Sequence, residues 1–168
     1  MADVIPHQRA LSQSVVSGDS GPLVIRDPAP DDEGAWRVLW AGYCAFYEKS
    51  VPEAVTAGTW ARILTPGSPL FGRIAQCKGD VVGFTVSILH QGSWTLDPIC
   101  YLEDLFVAPS ARGRGIGRAL IADLLGRAKE RGWSRLYWHT RESNAPARRL
   151  YNEFATADDF VRYRLNLR

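Results

Sequence analysis

The sequence predicts one domain of mixed α/β (α+β) class, with a central sheet flanked by helices. Three strand candidates follow one another in the middle of the chain, an aromatic stripe at helical spacing precedes them, and an amphipathic helix follows them. The predicted order is β-α-α-β-β-β-α-β-α-β. This order differs from the regular strand–helix alternation of a doubly wound dinucleotide-binding sheet.

The first part of the chain predicts one strand and two helices. A short strand is expected at Leu23–Arg26, and the Pro- and Asp-rich stretch after it breaks the chain and supplies helix caps. Six residues then recur at helical spacing, namely Trp36, Leu39, Trp40, Tyr43, Phe46 and Tyr47. A second helix is predicted over Glu53–Leu64, where Pro66-Gly67 ends it.

The middle of the chain predicts the strands of the sheet. Candidates at Leu70–Lys78 and Val81–Leu89 flank Gly79-Asp80, which suits a tight hairpin turn. We expect a loop at Gln91–Pro98 and a third strand through Cys100–Val107. An amphipathic helix follows, whose apolar face runs from Gly117 to Ala128 and which ends at Gly132. The last predicted elements are a strand at Leu136–Thr140, a short helix capped by Ser143 or Asn144 that runs through Glu153, and a strand at Phe160–Leu167.

Length and composition limit the function classes. The 168 residues and the hydrophobic fraction of 46% suit one core, which we place at 22–168, with 1–21 as a flexible tail. The net charge of +2 gives no support for a nucleic-acid or membrane partner. Three cysteines without a CxxC pair predict no metal site. We expect a cytoplasmic protein, because no apolar stretch approaches the ~20 residues of a membrane span.

The sharpest signal is a glycine-rich turn between a strand and an amphipathic helix. Its residues are Arg112, Gly113, Arg114, Gly115, Ile116, Gly117 and Arg118. Alternating glycines free the backbone to point successive N–H groups into one concavity, and the helix start adds its own unpaired N–H groups. The arginines add positive charge, so the turn predicts a pyrophosphate site.

Two other phosphate-binding motifs fit this turn less well. A Rossmann site needs a glycine where Arg118 stands and a first strand near the start of the domain. A Walker A loop needs a Lys-Ser/Thr pair, which does not follow here. A plain strand-to-helix loop is the remaining alternative.

Arg112-X-X-Gly115-X-Gly117 resembles the Arg/Gln-X-X-Gly-X-Gly/Ala signature of the GNAT N-acetyltransferases. The strand LEDLFV before the turn and the segment Tyr137–Tyr151 (YWHTRESNAPARRLY) are similar to the corresponding segments of that superfamily. The resemblance spans Leu23 to Leu167. Within the superfamily, the sequence is most similar to the branch that includes polyamine (spermidine/spermine-type) and histone-type acetyltransferases.

The resemblance implies a GNAT fold with a mostly antiparallel central sheet, and acetyl-CoA as co-substrate without a metal. It implies that pantetheine runs along Leu105, Phe106 and Val107, and that the pyrophosphate lies on the glycine-rich turn. It also implies that Asn144 and Ala147 flank the cofactor arm.

Acetyl transfer to an amine requires removal of a proton, because an alkylamine with a pKa of about 10.4 is mostly protonated at neutral pH. Glu103 is the candidate base, as a carboxylate within an otherwise apolar strand. Alternation is expected to place Asp104 on the opposite face, where it attracts a cationic acceptor or makes a structural bond. The resemblance implies that Tyr151 is the general acid, and a core tyrosine is the alternative.

The resemblance places the acceptor between the first two helices and the loop before the central strand. Tyr43, Phe46, Tyr47 and Trp94 are the aromatic candidates there, with core packing as the alternative. The expected acceptor is a small amine, a polyamine or a lysine-like amine. A peptide or protein acceptor and a non-catalytic acetyl-CoA sensor are the alternatives, and the resemblance makes a homodimer plausible.

Overall fold

The structure is a computed structural model and describes residues 22–167. The predicted tail at 1–21 lies outside the described residues. The strands are β1 (Leu23–Arg26), β2 (Leu70–Cys77), β3 (Asp80–Gly92), β4 (Thr95–Val107) and β5 (Arg135–Trp138). The helices are α1 (Glu33–Phe46), α2 (Glu53–Leu64), α3 (Ile116–Glu130) and α4 (Ala145–Tyr151).

The described strands form a five-stranded sheet in the order β1-β2-β3-β4-β5. The pairs from β1 to β4 are antiparallel, and β5 pairs with β4 in parallel. The predicted mixed, mostly antiparallel sheet is therefore confirmed.

The β2–β3 hairpin forms as predicted, with its turn one residue earlier than expected. Lys78 and Gly79 have φ angles of 54° and 90°, the left-handed pair that a two-residue primed turn requires. Asp80 therefore belongs to β3.

The region Gln91–Pro98 was expected to be a loop, but the structure extends both strands through most of it. The turn is reduced to Ser93-Trp94, between the paired residues Gly92 and Thr95. Pro98 interrupts the strand pattern in the sequence, but a register irregularity before Ile99 accommodates it.

The predicted last strand at Phe160–Leu167 is wrong in this structure, which has no helix or strand in its described residues after Phe154. The side chains of Phe160, Tyr163 and Leu165 are more than four-fifths exposed. Alternation predicts which face a side chain occupies, but a strand also needs a neighbouring backbone edge to pair with.

Helices cover both faces of the sheet. On one face, α1 contacts β3 and β4 while α2 contacts β2, around Trp36, Trp60, Phe84 and Phe106. On the other, α3 contacts all five strands, and Leu120 and Ile116 pack with residues of β1 and β2. Four residues of the aromatic stripe of α1 pack in or against this core, namely Trp36, Leu39, Trp40 and Tyr43, whereas Phe46 is about half exposed.

The buried Arg73 connects β2 to α3. Its guanidinium donates to both carboxylate oxygens of Asp123 at 2.7 and 2.8 Å, and to Asp27. Arg127, one turn after Asp123, also donates to Asp27. This network attaches the middle of α3 to the sheet, which holds the N-terminus of α3 beside the end of β4.

Contacts divide the chain into one unit that ends at Trp138 and a second that begins at His139. The first contains the sheet with α1–α3, and the second contains α4. The prediction of a single domain over 22–168 stays a prediction. None of the helices in the described residues is both long and apolar enough to span a bilayer. Within 22–167, no three His, Cys, Asp or Glu side chains are grouped so as to hold a metal ion.

Replacement of Arg73 by alanine should lower the free energy of unfolding by about 3–5 kcal/mol, because Asp123 is left without its buried partner. Urea denaturation measures the change. The control is Arg37→Ala, since Arg37 pairs with Glu33 and Glu53 on an exposed helix surface and should matter little. Equal losses for the two variants would contradict the role of the Arg73 network.

Candidate active site

A bulge in β4 changes the direction of its side chains. Val86 pairs with Asp104 and the next residue, Ser87, pairs with Leu102, so Glu103 has no residue opposite it on β3. One extra residue in a strand reverses the alternation that follows. The regular alternation on which the prediction for Glu103 and Asp104 relied is therefore interrupted at Glu103, and the register places Asp104 on the face of Val86.

Beyond the bulge, the edge of β4 that faces β5 is not paired with it. Pairing with β5 runs from Ile99 to Leu102, whereas pairing with β3 continues to Val107. The Ala108 N–H bonds to Val82 on the β3 side. By alternation, Leu105 and Val107 direct their backbone N–H and C=O groups to the edge that β5 does not use, while those of Phe106 point toward β3. An extended chain that carries amides, such as pantetheine, fits such an edge.

The glycine-rich turn has the backbone conformation that its glycines permit. Gly113 and Gly115 have φ angles of 74° and 76°, and Gly115 is the N-cap residue of α3. Gly117 lies within the first turn of α3, while Ile116 is buried in the core. The first N–H groups of α3 and the positive end of its dipole therefore point toward this turn.

The arginines of the turn lie at its surface. Arg112 donates from Nε to the carbonyl oxygen of Val107 at 3.1 Å, and its guanidinium lies 5.3 Å from the ring centroid of Phe106. Arg114 reaches the sulfur of Cys77 at 3.5 Å. Arg118 is exposed on the first turn of α3. Three arginines thus lie between the end of β4 and the first turn of α3, and their positive charge suits a diphosphate.

A buried carboxyl lies where β4 meets α1. Asp104 is 8% exposed, and burial raises its pKa to about 7, with a further contribution from the charge of Glu103. The hydroxyl of Tyr43 donates to Asp104 and moderates this increase. Burial and the Asp104 charge both raise the pKa of Tyr43, so its hydroxyl keeps its proton.

Gly42 allows α1 to approach β4 closely enough for this contact. A Cβ atom at position 42 would lie 3.0 Å from Cζ of Phe106. The neighbouring Tyr43 packs edge-on against Phe84 and Phe106, with centroid distances of 6.3 Å. This packing orients the Tyr43 hydroxyl toward Asp104.

Glu103 is exposed, in contrast to Asp104. Its charge acts on both Asp104 and Tyr43, so the two carboxyl groups belong to one cluster. The structure brings together the predicted base Glu103 with Asp104 and Tyr43. Of the two carboxyl groups, the buried one with a pKa near neutrality is better suited to gain and lose a proton at pH 7.

The predicted residues of α4 share one helix face. Asn144 is its N-cap residue, Ala147 follows by three positions and Tyr151 by four more. The Asn144 amide donates to Thr140 Oγ1 at 3.0 Å rather than capping the helix. The helix thus begins where it was predicted, after Ser143 or Asn144, and it ends at Tyr151, two residues before the predicted end at Glu153.

The aromatic acceptor candidates do not all meet. Tyr43 and Tyr47 contact each other at 5.0 Å between centroids, and Phe46 contacts Tyr47 at the same distance. Trp94 is 91% exposed at the tip of the β3–β4 hairpin, immediately before β4 begins. Asp104 follows ten residues later, about 30 Å along the strand. Trp94 is therefore remote from the Asp104 cluster.

A second aromatic group, which the sequence did not predict, lies beside this cluster. Tyr101 and Tyr137 are paired residues of β4 and β5, with ring centroids 5.0 Å apart. His90 Nε2 lies 3.1 Å from the Tyr137 hydroxyl. Because these residues come from three strands, the sequence shows that they are aromatic but not that they contact one another.

Comparisons with known proteins agree with this geometry. The acetyltransferase (GNAT) family profile matches residues 34–155. The chain is 36% identical to the D-amino-acid N-acetyltransferase HPA3 of Saccharomyces cerevisiae, over 86% of this chain and 91% of that protein. It is 30% identical to the thialysine N-epsilon-acetyltransferase of Bos taurus, over 80% of this chain and 69% of that protein.

Solved structures share the fold. The aminoglycoside acetyltransferase AAC(6')-Iy, in complex with a bisubstrate analogue, has a TM-score of 0.72 at 22% identity over 86% of this chain and 98% of that chain. A ribosomal-protein-alanine N-acetyltransferase from Brucella melitensis biovar Abortus has a TM-score of 0.72 at 24% identity, over 86% of this chain and 99% of that one.

The chain belongs to the GNAT acetyltransferase family. The GNAT fold expected from the sequence is thereby confirmed. The protein is an acyltransferase that uses acetyl-CoA as co-substrate.

Replacement of Gly115 by aspartate should weaken acetyl-CoA binding at least about tenfold. A side chain is strained at a φ of 76°, and the carboxylate would repel a diphosphate at the start of α3. Calorimetric titration with acetyl-CoA measures the affinity. The matched control is Gly126→Asp, which adds the same charge where a Cβ atom meets nothing within 4 Å. Equal affinities in the two variants would place the phosphates elsewhere.

Proposed function

We propose that this protein transfers the acetyl group of acetyl-CoA to the primary amino group of a small amine, by direct attack within a ternary complex. The observation that carries this proposal is the Glu103–Asp104 pair at the bulge of β4. It lies immediately before the strand edge and the glycine-rich turn that suit coenzyme A. The groups needed to bind the donor and to deprotonate the acceptor therefore follow one another along one strand.

The proposed reaction begins with loss of a proton from the acceptor ammonium group. Asp104, with Glu103 beside it, accepts this proton directly or through water. The amine nitrogen then attacks the thioester carbonyl carbon and a C–N bond forms. The C–S bond breaks, and the nitrogen releases its second proton to water. Backbone N–H groups of β4 near Leu105 and Val107 are suited to stabilise the oxyanion.

The departing sulfur takes a proton to become the free thiol of coenzyme A. We assign this proton to the Tyr151 hydroxyl, as the resemblance of the Tyr137–Tyr151 segment implies. The shared helix face of Asn144, Ala147 and Tyr151 supports this assignment, since residues that contact one cofactor arm must face the same side.

The acceptor class is a small amine with amino-acid character. Two relatives bear the names of enzymes that acetylate D-amino acids and thialysine. The acidic pair and the hydroxyl of Tyr43 suit an ammonium group, with Tyr47 beside them. A polyamine or a peptide lysine is the second candidate, which the same acidic pair favours. The homodimer and the cytoplasmic location stay predictions, which light scattering and fractionation would check.

The experiment that tests this function measures thiol release from acetyl-CoA with a panel of amino acids, polyamines, aminoglycosides and lysine peptides. Turnover with an amino acid supports the proposal, and mass spectrometry of an N-acetyl product completes it. Tight acetyl-CoA binding without turnover of any amine would instead indicate a sensor.

The pH dependence should report the ionisation of Asp104. Because only the carboxylate accepts a proton, kcat/KM should rise as the pH increases through about 7, the raised pKa of this group. Asp104→Asn should remove this limb, whereas Glu103→Gln should retain it near a slightly lower pH. A limb unchanged in Asp104→Asn would contradict the assignment.

Stability provides an independent readout of the same ionisation. The pKa of Asp104 is higher in the folded state than the ordinary value of about 3.9, so the folded state binds the proton more tightly. The stability of the wild type relative to Asp104→Asn should therefore fall as the pH rises from about 4 to about 7, and stay level above that.

Tyr151→Phe should lower kcat about 100-fold, because the departing thiolate loses its proton donor, with little change in acetyl-CoA affinity. Steady-state kinetics and calorimetry measure the two effects. Tyr163→Phe is the control, because Tyr163 is 93% exposed in the segment without secondary structure. An unchanged kcat in Tyr151→Phe would remove Tyr151 from the mechanism.

A further inference from the structure

Two tyrosine side chains and one arginine side chain lie together on the sheet near Asp104. The Tyr101 and Tyr137 rings stack with an interplanar angle of 30°. The guanidinium of Arg135 lies 5.6 Å from the centroid of the Tyr137 ring. Arg135 is exposed and both tyrosines are half-buried, so all three reach the surface. The reaction described above uses none of them.

The bulge places this group on the same face as Asp104. Tyr101 pairs with Ile88 and Asp104 pairs with Val86. Ile88 and Val86 are two residues apart on β3, so their side chains share one face, about 7 Å apart along the strand. Without the extra residue at Glu103, Tyr101 and Asp104 would point to opposite faces.

His90 holds the Tyr137 ring in position. Its Nδ1 lies 2.9 Å from the carbonyl oxygen of Gln91, which only accepts hydrogen bonds, so Nδ1 carries a proton. In the neutral ring, Nε2 then accepts the hydroxyl proton of Tyr137. The ring that supports Arg135 is thus fixed from two strands away.

The charges along this face have opposite signs at its two ends. Asp104 is acidic at one end, with the exposed Glu103 next to it in the chain, and Arg135 is basic at the other, with two aromatic rings between them. Arginine binds a carboxylate through two parallel hydrogen bonds, and an aromatic surface binds an aliphatic or aromatic side chain. This arrangement complements a zwitterion whose amino group lies at the acidic end.

We infer that Arg135, on the platform of Tyr101 and Tyr137, binds the carboxylate of the acceptor and selects amino acids over amines that lack this group. The inference rests on the proposed function, because it assigns the far end of the same acceptor site. Neither acetyl-CoA binding nor deprotonation of the acceptor requires a basic residue at the far end of this face, and a carboxylate-binding role for Arg135 explains it.

The test compares acceptors that differ only in the carboxylate. One pair is D-phenylalanine and D-phenylalaninamide, which offer an α-amine, and the other is Nα-acetyl-lysine and its carboxamide, which offer an ε-amine. In at least one pair, the wild type should show a kcat/KM at least about tenfold higher for the acid, as expected for a charge-assisted hydrogen-bonded pair. Equal kcat/KM values for acid and amide in both pairs would overturn the inference.

Arg135→Ala should raise KM about tenfold for the preferred acid, leave KM of its amide unchanged and change kcat little for either. Arg135→Lys should recover part of the preference, because it retains a positive charge. Arg131→Ala, an exposed arginine after α3, is the control and should change neither. Equal effects of Arg135→Ala on acid and amide would show a structural role only.

Different results of these assays would overturn the proposed function and the carboxylate subsite. If the wild type acetylates none of the amines in the thiol-release panel, the proposed function itself fails. If it acetylates polyamines or the amides as well as the acids, the function stands and the carboxylate subsite is wrong.

Discussion

The bulge at Glu103 is the constraint on which the site depends. It reverses the side-chain alternation of β4, so that residues before and after it share one face of the sheet. Beyond it, the strand continues along β3 while pairing with β5 stops at Leu102. The extra residue thereby places Asp104 on the face of Tyr101, and the part of β4 beyond it has the edge that suits pantetheine.

Packing around the bulge determines the chemistry of its carboxyl groups. Gly42 permits the close approach of α1, which buries Asp104 beneath Tyr43, while Glu103 remains exposed. Two adjacent carboxyl groups with similar intrinsic pKa values thus differ in their exposure to solvent. On the other face, Arg73 fixes α3 to the sheet and with it the start of the helix that receives the diphosphate.

Local signals in the chain were sufficient for most elements. The hydrophobic stripes predicted α1 and α3, and the bounds of β1 and α2 agree with the prediction. The failures came from elements that depend on a distant partner. Residues Phe160–Leu167 alternate as a strand does but lie exposed, and Trp94 lies at a hairpin tip because β3 and β4 extend beyond the expected loop.

The sequence by itself determined the family, the glycine-rich turn and the strand that carries the acidic pair, because these are contiguous motifs with local geometry. Only the tertiary structure decided which of Glu103 and Asp104 is buried, and that Tyr101, Tyr137 and Arg135 share their face. Burial depends on what α1 places over the strand, and the shared face depends on strand register. Both are set by contacts between residues far apart in the chain, which periodicity does not encode.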